Sequence, residues 1–365
     1  MDRAEDIFER IFLGIAEDQV VCLGDFADTE SRKLTFSIVG LGRAFRQATS
    51  AAFRDLAALI GILAALQGCS ATTHPEQPAA LGRPIALAQM ERILEQPDST
   101  GLIALESFTC AEWVADLSAV LNLDNPAAKS AGLKEREEPI QVFLYALRHP
   151  TYGLFLVDLG FSAQMAHDPS SVGAGLIMRH AMHLNQLHFH LGPADVLKTE
   201  NTPLRGVLLT HMHPDHIGGL SEIPLETPIY IGPGETQERH WTHFFTRTMA
   251  NRELQGRPAL QSWNFMMAAI GSAPELAVVD VFSDGSVFAL SVPGHTRGSV
   301  AYLVRTAHGP VLLTGDTSHT RWGWEHGVEP GSASADRARN RISLLELKAL
   351  VARHPQIQVR FGHQL

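Results

Sequence analysis

Four short stretches, each directly after an apolar run, constrain this chain more than anything else in it. They are HMHPDH at 211–216, PGHT at 293–296, TGD at 314–316 and FGH at 361–363. Together they supply His211, His213, Asp215, His216, His295, Asp316 and His363, five imidazoles and two carboxylates. That donor set suits two borderline-soft divalent ions such as zinc, with iron or manganese as alternatives. The runs before them, GVLLT (206–210), SVFALSV (286–292), GPVLL (309–313) and QIQVRF (356–361), are short and β-rich, as buried strands are. The seven side chains therefore sit on loops at strand ends, where α/β folds build their sites. One such histidine alone would say little. Their order after four strands carries the assignment.

Composition sets the frame. Of 365 residues, 45% are hydrophobic and 19% charged, ample for one α/β domain of roughly 200 to 250 residues with an extension. A net charge of −10 and a pI near 6.0 argue against nucleic-acid binding, which needs a basic face. No uncharged apolar stretch reaches the roughly 18 residues of a membrane-spanning helix. The cysteines Cys22, Cys69 and Cys110 form no CxxC pair and give no disulfide framework. Cys110 reads as a small buried hydrophobe.

The first 84 residues read as an extension to a hydrolase domain at 85–365. Arg43, Arg46 and Arg54 precede an apolar run, Leu56–Leu66, that ends in Gly68-Cys69, with a polar, proline-bearing stretch beyond. A basic segment, a short apolar core and a small-residue end mark a secretory signal. The Gly-Cys ending resembles a bacterial lipoprotein signal spanning 41–69, with Cys69 as the lipidated first residue. On that reading residues 1–38 are not part of the mature protein, and the protein is attached to the cell envelope, facing the periplasm. The other reading is an amphipathic or buried helix ending at Gly68, in a cytoplasmic protein. Residues 75–84, rich in Pro, Ala and Gly, read as a tether, followed by a helical segment at Ile85–Leu94. PIQVFLYALRHP (139–150) and YGLFLVDLG (152–160) read as two strands joined by a tight turn. Val142, Leu144 and Ala146 alternate with Phe143, Tyr145 and Leu147, so this strand is apolar on both faces and belongs inside a sandwich.

HMHPDHIGGL, PGHTRGS, LLTGD and FGH, preceded by the LFLVDLG hairpin, resemble the metallo-β-lactamase superfamily over roughly residues 139–365. The resemblance implies an α/β fold, an αββα sandwich with two metals at one edge of its sheets. It implies that His211, His213 and His295 bind one metal, that Asp215, His216 and His363 bind the second, and that Asp316 bridges them. A water shared by two such ions has its pKa lowered from 15.7 toward about 7 and becomes a nucleophile at neutral pH. Hydrolysis of a lactone, ester, thioester or phosphodiester follows. The non-enzymatic alternative is an envelope protein that keeps metal for stability.

Within the superfamily, Asp316 argues against the true β-lactamases and His213 against the flavodiiron oxidoreductases, which carry Glu there. The motif order is most similar to the N-acyl homoserine lactone lactonases, so a small-molecule substrate is expected. In that family a tyrosine three residues after the bridging aspartate hydrogen-bonds the substrate carbonyl; here the position is His319. Asp215, as proton carrier, and His319, as oxyanion donor, are the catalytic residues this implies beyond ligation.

The remaining histidines carry weaker expectations. His180, His183, His188 and His190 read as helix and loop near the cleft, and His240 and His243 as lying outside the ligand set. Asp158 in VDLG reads as a residue orienting a ligand histidine. The segment 235–271, with Trp241, Phe244, Phe245, Met249, Trp263, Phe265, Met266 and Met267, reads equally well as a lid over an acyl chain or as core packing. Trp322 and Trp324 are expected at the cleft mouth. Arg297 either contacts a polar substrate or supports its loop.

Overall fold

A computed structural model describes residues 70–96, 102–240, 242–265 and 276–364. The expected signal at 41–69, with Cys69, lies outside the described residues, as do Trp241, Met266, Met267 and the side chain of Phe244. In chain order the first seven strands are β1 (Glu76–Pro78), β2 (Arg83–Ile85), β3 (Ala104–Asp116), β4 (Glu137–His149), β5 (Gly153–Val157), β6 (His188–Phe189) and β7 (Leu204–Leu208). They continue as β8 (Ile229–Ile231), β9 (Leu260–Ser262), β10 (Val278–Asp280), β11 (Val287–Ser291), β12 (Val300–Thr306), β13 (Gly309–Leu313) and β14 (Gln358–Arg360). One sheet has the order β1-β9-β8-β7-β5-β4-β3-β6, the other β14-β13-β12-β11-β10-β2. The helices that matter below are α1 (Leu87–Leu94), α2 (Leu117–Val120), α3 (Pro214–Ile217), α4 (His243–Leu254) and α5 (Arg337–Arg353).

Period-two alternation explains why the sheets stack. Phe143, Tyr145 and Leu147 of β4 and Val300, Tyr302 and Val304 of β12 meet in one core between the sheets. The alternate residues Val142, Leu144 and Ala146 join a second core that includes Met249 and Leu254 of α4. Ala301 and Leu303 join a third with Met90 of α1 and Leu347 and Leu350 of α5. Strands buried on both faces must be apolar on both faces, as β4 and β12 are. The result is the expected αββα layering. Tyr302 also carries a polar function at the centre. Its hydroxyl donates to the Leu209 carbonyl (3.0 Å) and accepts from Trp263 Nε1 (3.1 Å), so no buried polar group is stranded there.

The hairpin of β4 and β5 forms as expected, pairing Tyr145 with Val157 and His149 with Gly153. The tether does not. Glu76–Pro78 pair in parallel with Leu260–Ser262, and Arg83–Ile85 pair antiparallel with Val278–Asp280. Even Ser70 bridges Arg239. Pro and Ala suit a sheet edge as well as a linker, and composition alone did not separate the two. The boundary placed at 84/85 thus falls inside β2, with β1 and β2 each paired into one of the two sheets. The long strand β3 was not foreseen. Among the described residues no helix is long and apolar enough to cross a membrane.

Candidate metal centre

Each of the four signature stretches follows a strand: β7, β11, β13 and β14. In the loop after β7, His211 and His213 bring their rings to the same donor cluster. His213 is the N-cap and Pro214 the first residue of α3, where a proline's missing N–H costs nothing. The turn into α3 brings Asp215 and His216 alongside. Gly294 (φ 138°) precedes His295 because a Cβ there would lie 2.1 Å from the Asn340 nitrogen. Gly362 precedes His363 for a similar reason: its Cβ would stand 2.3 Å from Asp316 Oδ1.

All seven expected donors converge. His211, His213, His295 and Asp316 form one cluster and Asp215, His216, Asp316 and His363 another, the donor atoms of each lying within 4.8 Å of one another. Asp316 Oδ2 belongs to both. It lies 3.5 Å from His211 Nε2, 3.5 Å from His216 Nε2, 3.3 Å from His295 Nε2 and 3.3 Å from His363 Nε2. Asp215 Oδ2 is 3.4 Å from both His216 Nε2 and His363 Nε2. Two ligands at about 2.1 Å from a tetrahedral ion stand roughly 3.4 Å apart, and these spacings match such ligand-to-ligand edges. Buried His211 Nε2, His216 Nε2 and Asp316 Oδ1 have no hydrogen-bond partner. Unsatisfied buried polar atoms are costly, and all three belong to residues of the two donor clusters. The residues present fit two divalent ions.

Three of the imidazoles are already neutral, while at His216 and His363 burial is outweighed by the neighbouring carboxylates, which raise those two. Burial pushes His211 and His295 well below the usual histidine range and His213 to about 3, leaving neutral rings with a lone pair to give. Their outer nitrogens are held. Asp158, at φ 53°, accepts the Thr210 N–H on Oδ1 (2.8 Å) and the Thr210 hydroxyl on Oδ2 (2.8 Å). His216 Nδ1 donates to the same Oδ2 at 2.9 Å, so Asp158 orients a ligand histidine as the sequence suggested. The Thr210 hydroxyl in turn stands 3.1 Å from His211 Nδ1. Ser334 Oγ is 3.1 Å from His295 Nδ1, and the Gln141 carbonyl accepts from His363 Nδ1 at 2.8 Å. Such outer partners fix ring orientation and tautomer.

Glu235 was missed. Its Oε1 accepts the Met212 N–H (2.7 Å), while Oε2 accepts the Thr296 hydroxyl (2.6 Å) and the Gly298 N–H (2.9 Å). It thereby ties the loop of His211 and His213 to the loop of His295. Burial pushes its carboxyl up to about 7. Nothing in the local sequence marks it, since its partners, two backbone N–H groups and a threonine hydroxyl, lie on other loops.

The centre lies at the floor of a cavity of about 650 Å³. The floor is His213, Asp215, His295, Asp316, His319 and His363; the wall includes Trp113, Val120, Ile140, Met178, Met182 and Phe245. His180 and His183 also line it, whereas His188 and His190 do not, so the tract at 178–190 is near the cleft as expected. His243 faces the Glu238 carbonyl with Nδ1 (3.0 Å) and packs beside His213, ring centroids 6.5 Å apart. The segment 235–271 divides its work: Phe245 lines the cavity, while Met249 and Trp263 are fully buried in the cores. The tryptophans expected at the mouth are not there. Trp322 stacks on His326 (centroids 4.1 Å apart), and Trp324 packs on the third core near Phe361. Both lie on a short helix, Arg321–His326, whose apolar face turns toward the cores. Arg297 is exposed, lies over Gly234 and donates its backbone N–H to Glu238; it supports its loop and does not line the cavity. Cys110 is fully buried, its thiol pushed up to about 12 by that burial.

Two sheets with helices outside and seven convergent donors at strand ends define a metallo-hydrolase class, and the sequence profile of the metallo-beta-lactamase superfamily matches residues 138–363. The chain belongs to that superfamily. It is 27% identical over 235 residues to the N-acyl homoserine lactonase AttM of Azorhizobium caulinodans, covering 62% of this chain and 82% of that protein. It is 30% identical over 202 residues to the cytochrome P450 monooxygenase mpaDE of Penicillium roqueforti, which covers 52% of this chain but only 23% of that much longer protein. Its fold is similar to that of a mutant B. thuringiensis AiiA crystallised with N-decanoyl-L-homoserine at the active site (TM-score 0.50, 20% identity, 73% of this chain and 95% of that one).

Proposed function

We propose that this protein is a dinuclear metal-dependent hydrolase that opens lactone rings, with acyl homoserine lactones as the substrate class. His211, His213 and His295 would hold one ion, Asp215, His216 and His363 the other, and Asp316 both; zinc suits the nitrogen-rich set. One observation carries the reading: two complete donor sets meet on Asp316 Oδ2 at the floor of an apolar-walled cavity. The likeness to AttM along four-fifths of that lactonase's length supports the substrate class.

Two divalent ions supply an activated water and polarisation of the scissile carbonyl. The protein does the rest. Trp113, Ile140, Met178 and Phe245 take the acyl chain and exclude water around the ring. Asp215 faces the cavity from the floor; burial pushes its carboxyl up, but His216 and His363 outweigh that and hold it near 2. It is a carboxylate at working pH and would carry the proton only in passing, from the attacking water to the departing ring oxygen, on the oxygen other than the Oδ2 that meets His216 and His363. Among the described lining residues there is no Lys or Arg, which favours a neutral acyl substrate over a phosphodiester.

A pH-stat assay on the metal-loaded protein, with acyl homoserine lactones, simple lactones, aryl esters, a thioester and a phosphodiester, tests this. Lactone opening is expected to lead. Cleavage of the phosphodiester or thioester with no lactone opened would leave the fold and remove the substrate class. The basic, apolar, Gly-Cys order at 43–69 supports a further reading, lipidation of Cys69 and attachment to the cell envelope. Since Ser70 is already paired with Arg239, the anchor would hold the sandwich directly against the membrane. Mass spectrometry of native protein decides it: an unmodified peptide spanning Ala65 to Ala71 is the outcome against.

A further inference from the structure

The loop at 232–238 supports the metal centre without belonging to it. It carries two buried carboxylates, Glu235 and Glu238, and both reach the loop of His295. Glu235 Oε2 accepts the Gly298 N–H and the Thr296 hydroxyl, and Glu238 Oε2 accepts the Arg297 N–H. Glu235 Oε1 accepts the Met212 N–H, between the ligands His211 and His213. Like charges so close repel. The loop begins where β8 ends, and its own backbone supplies only turn bonds, such as the Gln237 N–H to the Gly234 carbonyl at 3.1 Å. What keeps it in place comes from outside it.

Glu76, the first residue of β1, meets that need. Its Oε1 accepts the Gly234 N–H at 3.3 Å and its Oε2 the Thr236 hydroxyl at 2.7 Å, so one carboxylate clamps the residues on either side of Glu235. Ala71 and Thr72, both buried, donate their N–H groups to the Glu238 carbonyl (2.9 Å) and the Thr236 carbonyl (3.3 Å). The same segment has a second seam that leaves this loop alone. There, Asn251 Oδ1 of α4 accepts the Thr72 hydroxyl at 2.6 Å and the Thr73 N–H at 3.0 Å. Bond by bond, the first seam runs from Glu76 to Glu235 and on to the backbone between two ligand histidines. Partners behind a ligand fix its orientation, and Glu76 fixes the partner.

We propose that Glu76 is a positioning residue of the metal centre: through Glu235 it sets the loops of His211, His213 and His295, and with them the affinity of the ion those three hold. The proposal rests on the dinuclear reading above. It gives a segment outside the superfamily match at 138–363 a part in the chemistry. The effect runs through two hydrogen bonds and not through charge. A glutamine amide can make both, accepting the Gly234 N–H on its oxygen and donating to the Thr236 hydroxyl, which both gives and takes.

Cobalt(II) is the probe, added to metal-free full-length protein in competition with a chromophoric chelator; urea midpoints of the same metal-free samples control for folding. Wild type is expected to take up two ions. Glu76→Ala should weaken one of them by about three- to tenfold, short of the 10–100-fold typical where the lost partner touches a ligand, and leave the other unchanged. Thr236→Val, which removes one of the two bonds from the loop side, should weaken the same ion, and Glu76→Gln should restore it. Asn251→Ala, which opens the other seam, should lower the urea midpoint yet bind both ions as wild type does. The proposal is overturned if Glu76→Ala leaves both affinities unchanged or weakens both alike. It also falls if Asn251→Ala weakens an ion as much, since any loosening of the segment would then suffice, or if glutamine does no better than alanine, since charge would then be the cause. Fewer than two ions in wild type would instead remove the dinuclear reading, and stoichiometry alone tells the two failures apart.

Discussion

The floor and the wall of the cavity are built on different principles. The floor is polar and over-determined: most of its imidazoles are held from behind by a carboxylate, a hydroxyl or a carbonyl. Its loops are tied across the sandwich by Glu235. The wall is largely apolar and held mainly by packing, with Trp113 from β3, whose Nε1 donates to the His183 carbonyl at 3.3 Å, Phe245 from α4, and Met178 and Met182 from between β5 and β6. Hydrogen bonds specify positions to tenths of an ångström, whereas apolar packing tolerates exchange of similar volumes. The contrast teaches that chemistry is fixed by the floor and specificity is free to drift in the wall.

If so, the largest effect belongs to the residue both donor sets share. Asp316→Ala should drop metal content below one ion per chain and hydrolysis by roughly 10³-fold or more, as loss of a key charge at the reacting centre does. Elemental analysis beside turnover checks it. Two ions retained would mean that Asp316 is not the bridge. Next comes the support behind the floor. Asp158→Asn keeps the shape but loses the charge that accepts from Thr210 and His216, and should weaken metal binding about 10–100-fold. An unchanged affinity by competition with a chromophoric chelator would show the orientation to be dispensable.

The same division decides what could be read from the sequence. The floor was legible because each ligand follows a short strand and sits in a turn that only Gly, Pro or the ligand itself can make, as at His213-Pro214 and Gly294-His295. Asp158 was legible from its place at a hairpin's end. The sandwich was legible from the two-faced apolar alternation of β4. The wall was not. Trp113 and Val120 lie in a stretch with no periodicity, and become wall only when β3 pairs with β4. Trp322 and Trp324 looked like wall from their place beside Asp316, but the helix carrying them turns them to the cores. His319 was found by position, while the Val120 carbonyl that its Nδ1 meets is 199 residues away along the chain.

The wall itself gives the third test. Phe245→Ala or Trp113→Ala should leave metal content unchanged and alter the ratio of kcat/KM between long- and short-chain lactones by about tenfold, the range for a changed apolar contact. A uniform loss across chain lengths would mean that these residues shape the floor after all, and the division between the two regions would fail.

The smallest effect sharpens the comparison from beneath. Floor and wall each rest on one buried carboxylate pushed up to about 7, Glu235 under the floor and Glu253 in α4 under the wall. Burial is the main cause at Glu253, opposed by the Ser221 N–H, which donates to Oε2 at 2.9 Å, and by Arg257. Between about pH 4.5 and 7 the folded protein therefore keeps a proton that the unfolded chain has released. Stability must fall as pH rises through that window. Glu253→Gln removes this part of the slope, on the order of 1 kcal/mol, while a change at Glu235 would also disturb the metal loops. Denaturant midpoints of the metal-loaded wild type and variant across pH 4.5 to 7.5 give the measurement. The two curves should converge toward acid pH and separate toward neutral, the variant gaining. Parallel curves would show that Glu253 is ionised throughout, and that the wall, unlike the floor, rests on no strained acid.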